Sequence, residues 1–168
     1  GVPAEFIAEV WAVMRTASQH SFQILTKRPD RMAAVLRDQR LPILPNVWLG
    51  TSVESEPHVG RIAELRHVPA EVRFVSFEPL LGAVGRVDLS GIDWAIVGGE
   101  SGPGARPMHE DWLRDIKRQC DAQGVAFFFK QWGGKNKKTA GRNLDGRTWD
   151  AYPQGMSVTR DRVIAASD

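Results

Sequence analysis

Cysteine is nearly absent from this sequence of 168 residues, and long apolar runs, clustered histidines and a large net charge are absent as well. The one cysteine, Cys120, excludes an internal disulfide and is typical of a reducing compartment, so a cytoplasmic location is expected. No apolar run approaches the roughly 20 residues of a membrane-spanning helix, and no secretory signal is visible. The four histidines are scattered, so no metal site is predicted. A net charge of +2 is too small to indicate nucleic acid or a membrane as partner.

The remaining composition is that of an ordinary globular protein. Apolar residues make up 42% of the chain and charged residues 25%, and the length suits one domain with a substantial core. Apolar residues recur at helical spacing over residues 6–14, so a helix is expected almost at the start. Such an abrupt start is expected either for part of a longer protein or for a trimmed terminus.

Five short apolar segments alternate with helical patterns along the chain. The predicted strands span residues 21–27, 46–53, 72–77, 94–97 and 125–129. One helix is predicted to begin at residue 29, and two further helices are predicted over residues 56–67 and 109–123. Strands without polar alternation are typical of a parallel sheet covered on both faces. We therefore predict an α/β fold, namely an incomplete (β/α) barrel of about five mainly parallel strands with outer helices.

The chain divides by composition near residue 134. We predict a barrel domain over residues 1–134 and an extended basic arm and tail over residues 135–168. Within the barrel, residues 80–93 are too rich in glycine for a good helix and are predicted to form a loop, with a short extra strand at residues 85–89. Trp149 and Tyr152 are candidates to hold the arm against the barrel.

An incomplete barrel leaves one strand without a neighbour. Five strands cannot close a barrel whose usual form has about eight. The first strand should then be an exposed edge with apolar groups on its open side. A missing N-terminal segment or a second copy of the chain is the expected partner there.

Polar and charged residues follow all five predicted strands. In parallel α/β proteins the ligand site lies at the carboxyl ends of the strands, so these residues should share one rim. The candidate site residues are Lys27, Arg28, Thr51, Ser52, Glu54, Ser76, Glu78, Gly98, Gly99, Glu100, Arg106, Lys130 and Trp132. The glycine loop after the fourth strand has the spacing of neither a Walker loop nor a dinucleotide fingerprint.

Several interpretations of these residues stay open. The charges could bind a ligand, or they could form a structural salt-bridge network at the top of the barrel. Trp132 could stack on a planar ligand or pack against the arm. Glu78 and Glu100 could act as acid and base on a sugar or phosphate. Lysines and arginines of the arm could contact nucleic acid or a host protein, although a solubilising role is favoured.

Six motifs carry a family resemblance that runs in order over about residues 1–153. They are LTKRP (25–29), WLGTSVE (48–54), FVSFEPLLG (74–82), WAIVGGESGPGARP (94–107), FFFKQWGG (127–134) and LDGRTWD (144–150). With these motifs the chain resembles the phage-associated Gp37/Gp68 family of unknown function. That family is similar to radical S-adenosylmethionine (SAM) enzymes and to spore-photoproduct-lyase-like proteins, which implies a partial (β/α) barrel and an origin in phages, prophages or bacteria.

The resemblance also implies a segment that this chain lacks. Family members carry closely spaced cysteines before the matching region, where an iron–sulfur cluster is expected. Cys120 alone cannot supply the thiolates of such a cluster. The chain therefore resembles the C-terminal two-thirds of a family member. It is expected to bind no cofactor and to catalyse nothing alone, whereas SAM and a cluster are expected in a full-length form.

From their positions at the strand ends, the candidate residues are assigned either to cofactor binding or to substrate binding. Thr51, Ser52, Glu54, Glu78, Gly98, Gly99 and Glu100 are assigned to the cofactor. Lys27, Arg28, Ser76, Arg106, Lys130 and Trp132 are assigned to the substrate, which the excess of cations predicts to be anionic. No residue is assigned a catalytic role.

Overall fold

The computed structural model describes residues 2–135 and 140–153. Strands and helices alternate along this part of the chain. In chain order the elements are α1 (Ala4–Thr16), β1 (Phe22–Thr26), α2 (Pro29–Asp38), β2 (Val47–Ser52), α3 (Gly60–Arg66), β3 (Val72–Phe77), β4 (Trp94–Gly98), α4 (Glu110–Gln123) and β5 (Ala126–Gln131). The predicted helix over residues 56–67 is divided into a 3-10 turn, Glu56–His58, and α3.

The five strands form one open sheet in the order β1-β2-β3-β4-β5. Every neighbouring pair is parallel, so the carboxyl ends of all five strands lie at one end of the sheet. Strands that are neighbours in sequence are also neighbours in the sheet, as in a (β/α) barrel. The predicted α/β fold with five parallel strands is therefore confirmed, and its arrangement is that of an incomplete barrel.

The helices cover one face of the sheet, here called the outer face. Alternate residues of each strand, such as Leu49, Val75 and Phe129, point into this layer and are fully buried. They pack against apolar residues of all four helices, including Ile62 and Ile116. This single layer contains most of the hydrophobic core, because an amphipathic helix and a sheet face must each bury an apolar surface.

The opposite face, here called the inner face, carries a smaller aromatic cluster. Trp48, Phe74 and Trp94 are buried there, with Phe128 packed against them. Gly50 makes room for this cluster. A Cβ atom at Gly50 would lie 2.5 Å from two atoms of the Phe74 ring, so the ring covers the glycine directly.

The connection from β3 to β4 contains no strand at residues 85–89, and that prediction is wrong. Two glutamines of α4 replace a neighbouring strand as hydrogen-bond partners. Gln119 accepts from the Val87 amide at 2.8 Å, and Gln123 accepts from the Leu89 amide at 2.8 Å. Their amide groups donate in turn to the carbonyls of Gly85 and Val87. Two glutamines one helical turn apart thus supply the hydrogen bonds that a neighbouring strand would otherwise make with the backbone of this extended segment.

The arm runs back along the outer edge of β5 in the antiparallel direction. The Phe129 amide donates to the Trp149 carbonyl at 2.9 Å, and the Ala151 amide donates to the Phe127 carbonyl at 3.2 Å. The ring of Tyr152 lies 5.1 Å from that of Trp94. The arm therefore covers the β5 edge, whereas the division at residue 134 stays a prediction.

Candidate functional site

The strand register places two serines side by side on the inner face. Ser52 of β2 and Ser76 of β3 are partners in the parallel ladder, and both are buried, with 5% and 4% of their surface exposed. Neither hydroxyl has a hydrogen-bond partner in the part of the chain that the structure describes. Each serine has a free hydroxyl that can donate and accept, so together they form a polar row at the carboxyl end of the sheet.

Glu54 follows β2 and lies among three basic side chains. Its carboxylate is 2.9 Å from Lys27 Nζ, 2.9 Å from Arg61 Nη1 and 3.3 Å from His58 Nδ1. Arg61 also donates to the Ser52 carbonyl at 2.9 Å, which ties α3 to the end of β2. Burial raises the pKa of Glu54, but the hydrogen bond from Lys27 and the nearby positive charges outweigh burial, so its pKa lies below the ordinary value.

His58 and Arg61 are members of this cluster that the candidate list missed. Their spacing from Glu54, four and seven residues, is that of one face of a helix. This spacing was the available signal, although nothing in it distinguished the cluster from an exposed face. Thr51 is not part of this cluster. It precedes Ser52 in β2, so its side chain points to the outer face, and its hydroxyl donates to the Thr26 carbonyl at 2.9 Å.

A second ion pair crosses the inner face between strands that are not neighbours. Lys130 of β5 lies 3.0 Å from Glu78, which follows β3. Gly98 of β4 lies between them, and a Cβ atom there would be 3.1 Å from the Glu78 carboxyl carbon. Because Gly98 has no side chain, the Glu78 carboxylate can lie over β4 and reach Lys130.

Glu100 and Arg106 form a third pair within the loop after β4. The guanidinium donates to both carboxylate oxygens, at 2.9 and 2.7 Å, and the Arg106 amide donates at 2.9 Å. These side-chain and backbone hydrogen bonds lower the pKa of Glu100 to about 2. With this pKa Glu100 is ionised at neutral pH, which argues against Glu100 as the general acid of the acid–base interpretation.

The glycine loop is packed against the loop that follows β5. The Trp132 carbonyl lies 1.9 Å from the position that a Cβ atom of Gly99 would take. The Gly99 amide donates to the Gln131 carbonyl at 2.9 Å, and the Gly134 amide donates to the Glu100 carbonyl at 2.7 Å. The space beside Gly99 is thus filled by the protein's own backbone.

Trp132 contacts the arm and the core. Its indole donates to the Asn143 carbonyl at 2.8 Å, and its ring lies 4.9 Å from that of Phe129. These contacts favour the packing interpretation over stacking on a ligand. Arg28 lies apart, since its side chain is exposed and its described ionic partner is Asp30, at 3.5 Å.

The aromatic cluster of the inner face lies beside the serine row. The rings of Trp48 and Trp94 are 5.6 Å apart and nearly perpendicular. The Trp48 indole N–H is buried and has no hydrogen-bond partner among the described residues. A buried donor without a partner is uncommon, so this face combines an apolar floor with unused hydrogen-bonding capacity.

Two arginines of the arm make contacts within the protein. Arg142 donates to the Phe129 carbonyl and pairs with Asp150. Arg147 lies 3.5 Å from the centre of the Trp149 ring. Both arginines thus have partners within the protein, and binding of nucleic acid by the arm stays a prediction. Lys137 and Lys138 lie outside the described residues.

No helix in the described part of the chain is long and apolar enough to cross a membrane. Nowhere in residues 2–135 and 140–153 do three His, Cys, Asp or Glu side chains group in a way that could hold a metal ion.

Comparison with known proteins returned one family. The family model described as "Protein of unknown function (DUF5131)" matches residues 1–153. No curated protein and no solved structure matches the chain. The family match spans the whole sheet and the described part of the arm.

Proposed function

The chain belongs to the DUF5131 family, whose function is unknown, and we propose that its inner face binds a small molecule at the carboxyl ends of the strands. We propose further that this site is part of a phage-associated, radical-SAM-like barrel of the Gp37/Gp68 type. The ligand would then be SAM or a related amino acid derivative. The observation that carries the proposal is the pairing of Ser52 with Ser76, two nearly buried serines that lie side by side at the carboxyl ends of β2 and β3.

The neighbouring ion pair suggests how the ligand is oriented. Glu78 and Lys130 are opposite charges 3.0 Å apart, with half of the Lys130 side chain exposed. A pair this accessible to water contributes only about 0–1 kcal/mol to stability. A ligand with an ammonium and a carboxylate could replace it at little cost, with the ammonium on Glu78 and the carboxylate on Lys130. The amino acid group of SAM carries both charges.

The Glu54 cluster would form a wall of this site. Lys27 and Arg61 hold the carboxylate in place, and Arg61 also holds the end of β2 that carries Ser52. Because the Glu54 carboxylate is already bonded to cations, it is better suited to fixing this wall than to binding a ligand directly. Catalysis would depend on a cluster that the chain's cysteine content cannot provide, so binding is the activity to measure.

Isothermal titration calorimetry with SAM tests the proposal. We expect the wild-type chain to bind SAM, the Ser52→Ala/Ser76→Ala variant to bind at least tenfold more weakly, and Lys130→Ala to weaken binding similarly. Ser90→Ala is the matched control, because Ser90 is an exposed serine before β4, at the opposite end of the sheet. Thermal unfolding of each variant checks that the fold is retained.

Either of two results would overturn the proposal. One is that SAM does not bind the folded wild-type chain at millimolar concentration. The other is that the double serine variant binds as tightly as Ser90→Ala, which would place the ligand elsewhere.

A further inference from the structure

The two edges of the sheet differ in how they are covered. At one edge, the antiparallel arm bonds to the backbone of β5. At the other edge, no described residue pairs with the outer side of β1 (Phe22–Thr26). An uncovered edge presents a row of free backbone donors and acceptors, which another strand can bind.

Most of the large exposed apolar side chains belong to the N-terminal part of the chain, which contains β1. Large exposed hydrophobic residues in the described part of the chain are Val2, Phe6, Val13, Leu25, Ile43 and Tyr152. All but Tyr152 belong to the first 43 residues, which form α1, β1, α2 and the loop before β2. On α1, Trp11 and Met14 are buried, whereas Phe6 and Val13 lie on another flank and are 54% and 62% exposed.

The direction of the free backbone groups follows from the β1–β2 ladder. The Phe22 amide donates to the Asn46 carbonyl at 2.8 Å, so Phe22 points its backbone groups toward β2. In a parallel pair such residues alternate along the strand. Gln23 and Leu25 therefore direct their N–H and C=O groups outward, to the uncovered side.

We propose that this edge pairs with a second copy of the chain, β1 against β1 in the antiparallel direction, with the two-fold axis at Ile24. Gln23 of each copy then lies opposite Leu25 of the other and exchanges both backbone hydrogen bonds with it. Ile24 lies opposite Ile24 of the other copy, and these two residues exchange no backbone hydrogen bonds. The outward-directed groups of Gln23 and Leu25 in both strands are satisfied in this register, which is compatible with a two-fold axis.

In this arrangement the charges on α1 of one copy are complementary to those on α1 of the other. Glu5 and Glu9 are exposed in the first half of α1, and Arg15 is exposed in its last turn. An antiparallel dimer brings the acidic start of one α1 toward the basic end of the other. Lys27 lies opposite Ser21 of the other copy, so like charges do not face each other across the strands.

Cysteine cross-linking tests the register. In the proposed dimer the Cα atoms of the two Ile24 residues are about 4.5 Å apart, within the range of about 4.4–6.8 Å for a disulfide. The two Leu25 residues are about 8 Å apart, since a strand rises about 3.4 Å per residue, and a disulfide cannot span this distance. We expect Ile24→Cys to cross-link under mild oxidation and Leu25→Cys, the matched control, to remain uncross-linked. The native Cys120 is buried and contributes no background.

Light scattering coupled to size exclusion tests the dimer itself. The wild-type chain should elute at twice its monomer mass at tens of micromolar, and Gln23→Pro should elute as a folded monomer. Proline at Gln23 removes an N–H that points outward, which an edge strand tolerates. Monomeric wild-type protein, a dimer unaffected by Gln23→Pro, or equal cross-linking of Leu25→Cys would each overturn the proposal. Failure of SAM binding would leave this dimer untouched, because Gln23, Ile24 and Leu25, which form the pairing, are not part of the SAM site.

Discussion

Replacing Gly50 by alanine measures how tightly the inner face is packed. A Cβ atom at this position would lie 2.5 Å from Cε2 and Cζ of Phe74 and 2.6 Å from Cε1. All three distances are far below van der Waals contact, so the methyl group would overlap the ring. The ring cannot move away freely, because Phe74 is 1% exposed and its ring centre lies 6.0 Å from that of Trp94.

Two effects of opposite sign decide the magnitude. Backbone propensity alone predicts that alanine in a strand stabilises the protein by about 0.5–1 kcal/mol relative to glycine. Overpacking a core costs about 1–3 kcal/mol, and losing the packing of a buried phenylalanine costs about 3–5 kcal/mol. Because the ring must be displaced from a closed site, we expect the clash to prevail. The free energy of unfolding should fall by about 2–3 kcal/mol.

Urea denaturation followed by tryptophan fluorescence is the assay. Trp48 and Trp94 lie in the same aromatic cluster as Phe74, so their emission reports on this face directly. With a denaturant slope of about 2 kcal/mol per molar, the midpoint should fall by about 1–1.5 M. The control is Phe74→Ala, alone and combined with Gly50→Ala. Without the ring the methyl group meets no obstacle, so the double variant should be no less stable than Phe74→Ala alone. A stabilising Gly50→Ala, or strictly additive losses, would refute the reasoning.

Two further predictions concern the ion pairs. Gly98→Ala should displace the Glu78 carboxylate from Lys130 and lower stability by less than about 1 kcal/mol, as expected of an accessible pair. Urea denaturation should show no additional loss when Gly98→Ala is combined with Lys130→Met, and a full additional loss would contradict this contact. Arg106→Gln should return the pKa of Glu100 from about 2 toward its ordinary 4.5, measured by NMR titration of the carboxyl carbon. Since the folded pKa is the lower one, the stabilisation from this pair is present above pH 4.5 and is lost as pH falls toward 2. A wild-type Glu100 that titrates near 4.5 would disprove the bidentate contact.

Local sequence pattern was sufficient for most of the secondary structure. The strand predicted over residues 72–77 coincides with β3, and the helix predicted over residues 109–123 begins one residue before α4. Gly124 ends that helix in the left-handed conformation, as glycine commonly does. The failure at residues 85–89 has a physical cause. The backbone of an extended segment can form its hydrogen bonds with side chains as well as with a neighbouring strand. The glutamines that do so here lie more than 30 residues away in the chain.

The candidate site was predictable as a place and not as a set of contacts. Parallel strands bring their carboxyl ends together, so Ser52, Ser76, Glu78 and Lys130 could be placed at one rim in advance. That Ser52 and Ser76 are ladder partners depends on the register between β2 and β3. That Glu78 meets Lys130 depends on sheet order and on the missing side chain at Gly98, which no local pattern reveals.

Local sequence patterns predict the α/β class, the positions of the strands and the rim that their ends share, because apolar periodicity and turn residues act over a few neighbouring residues. They do not predict which charges pair, that Phe74 lies over Gly50, or that the arm covers β5 and leaves β1 free. These features join residues distant in the chain, and such contacts form only after strand order and register have been set by packing of the whole core.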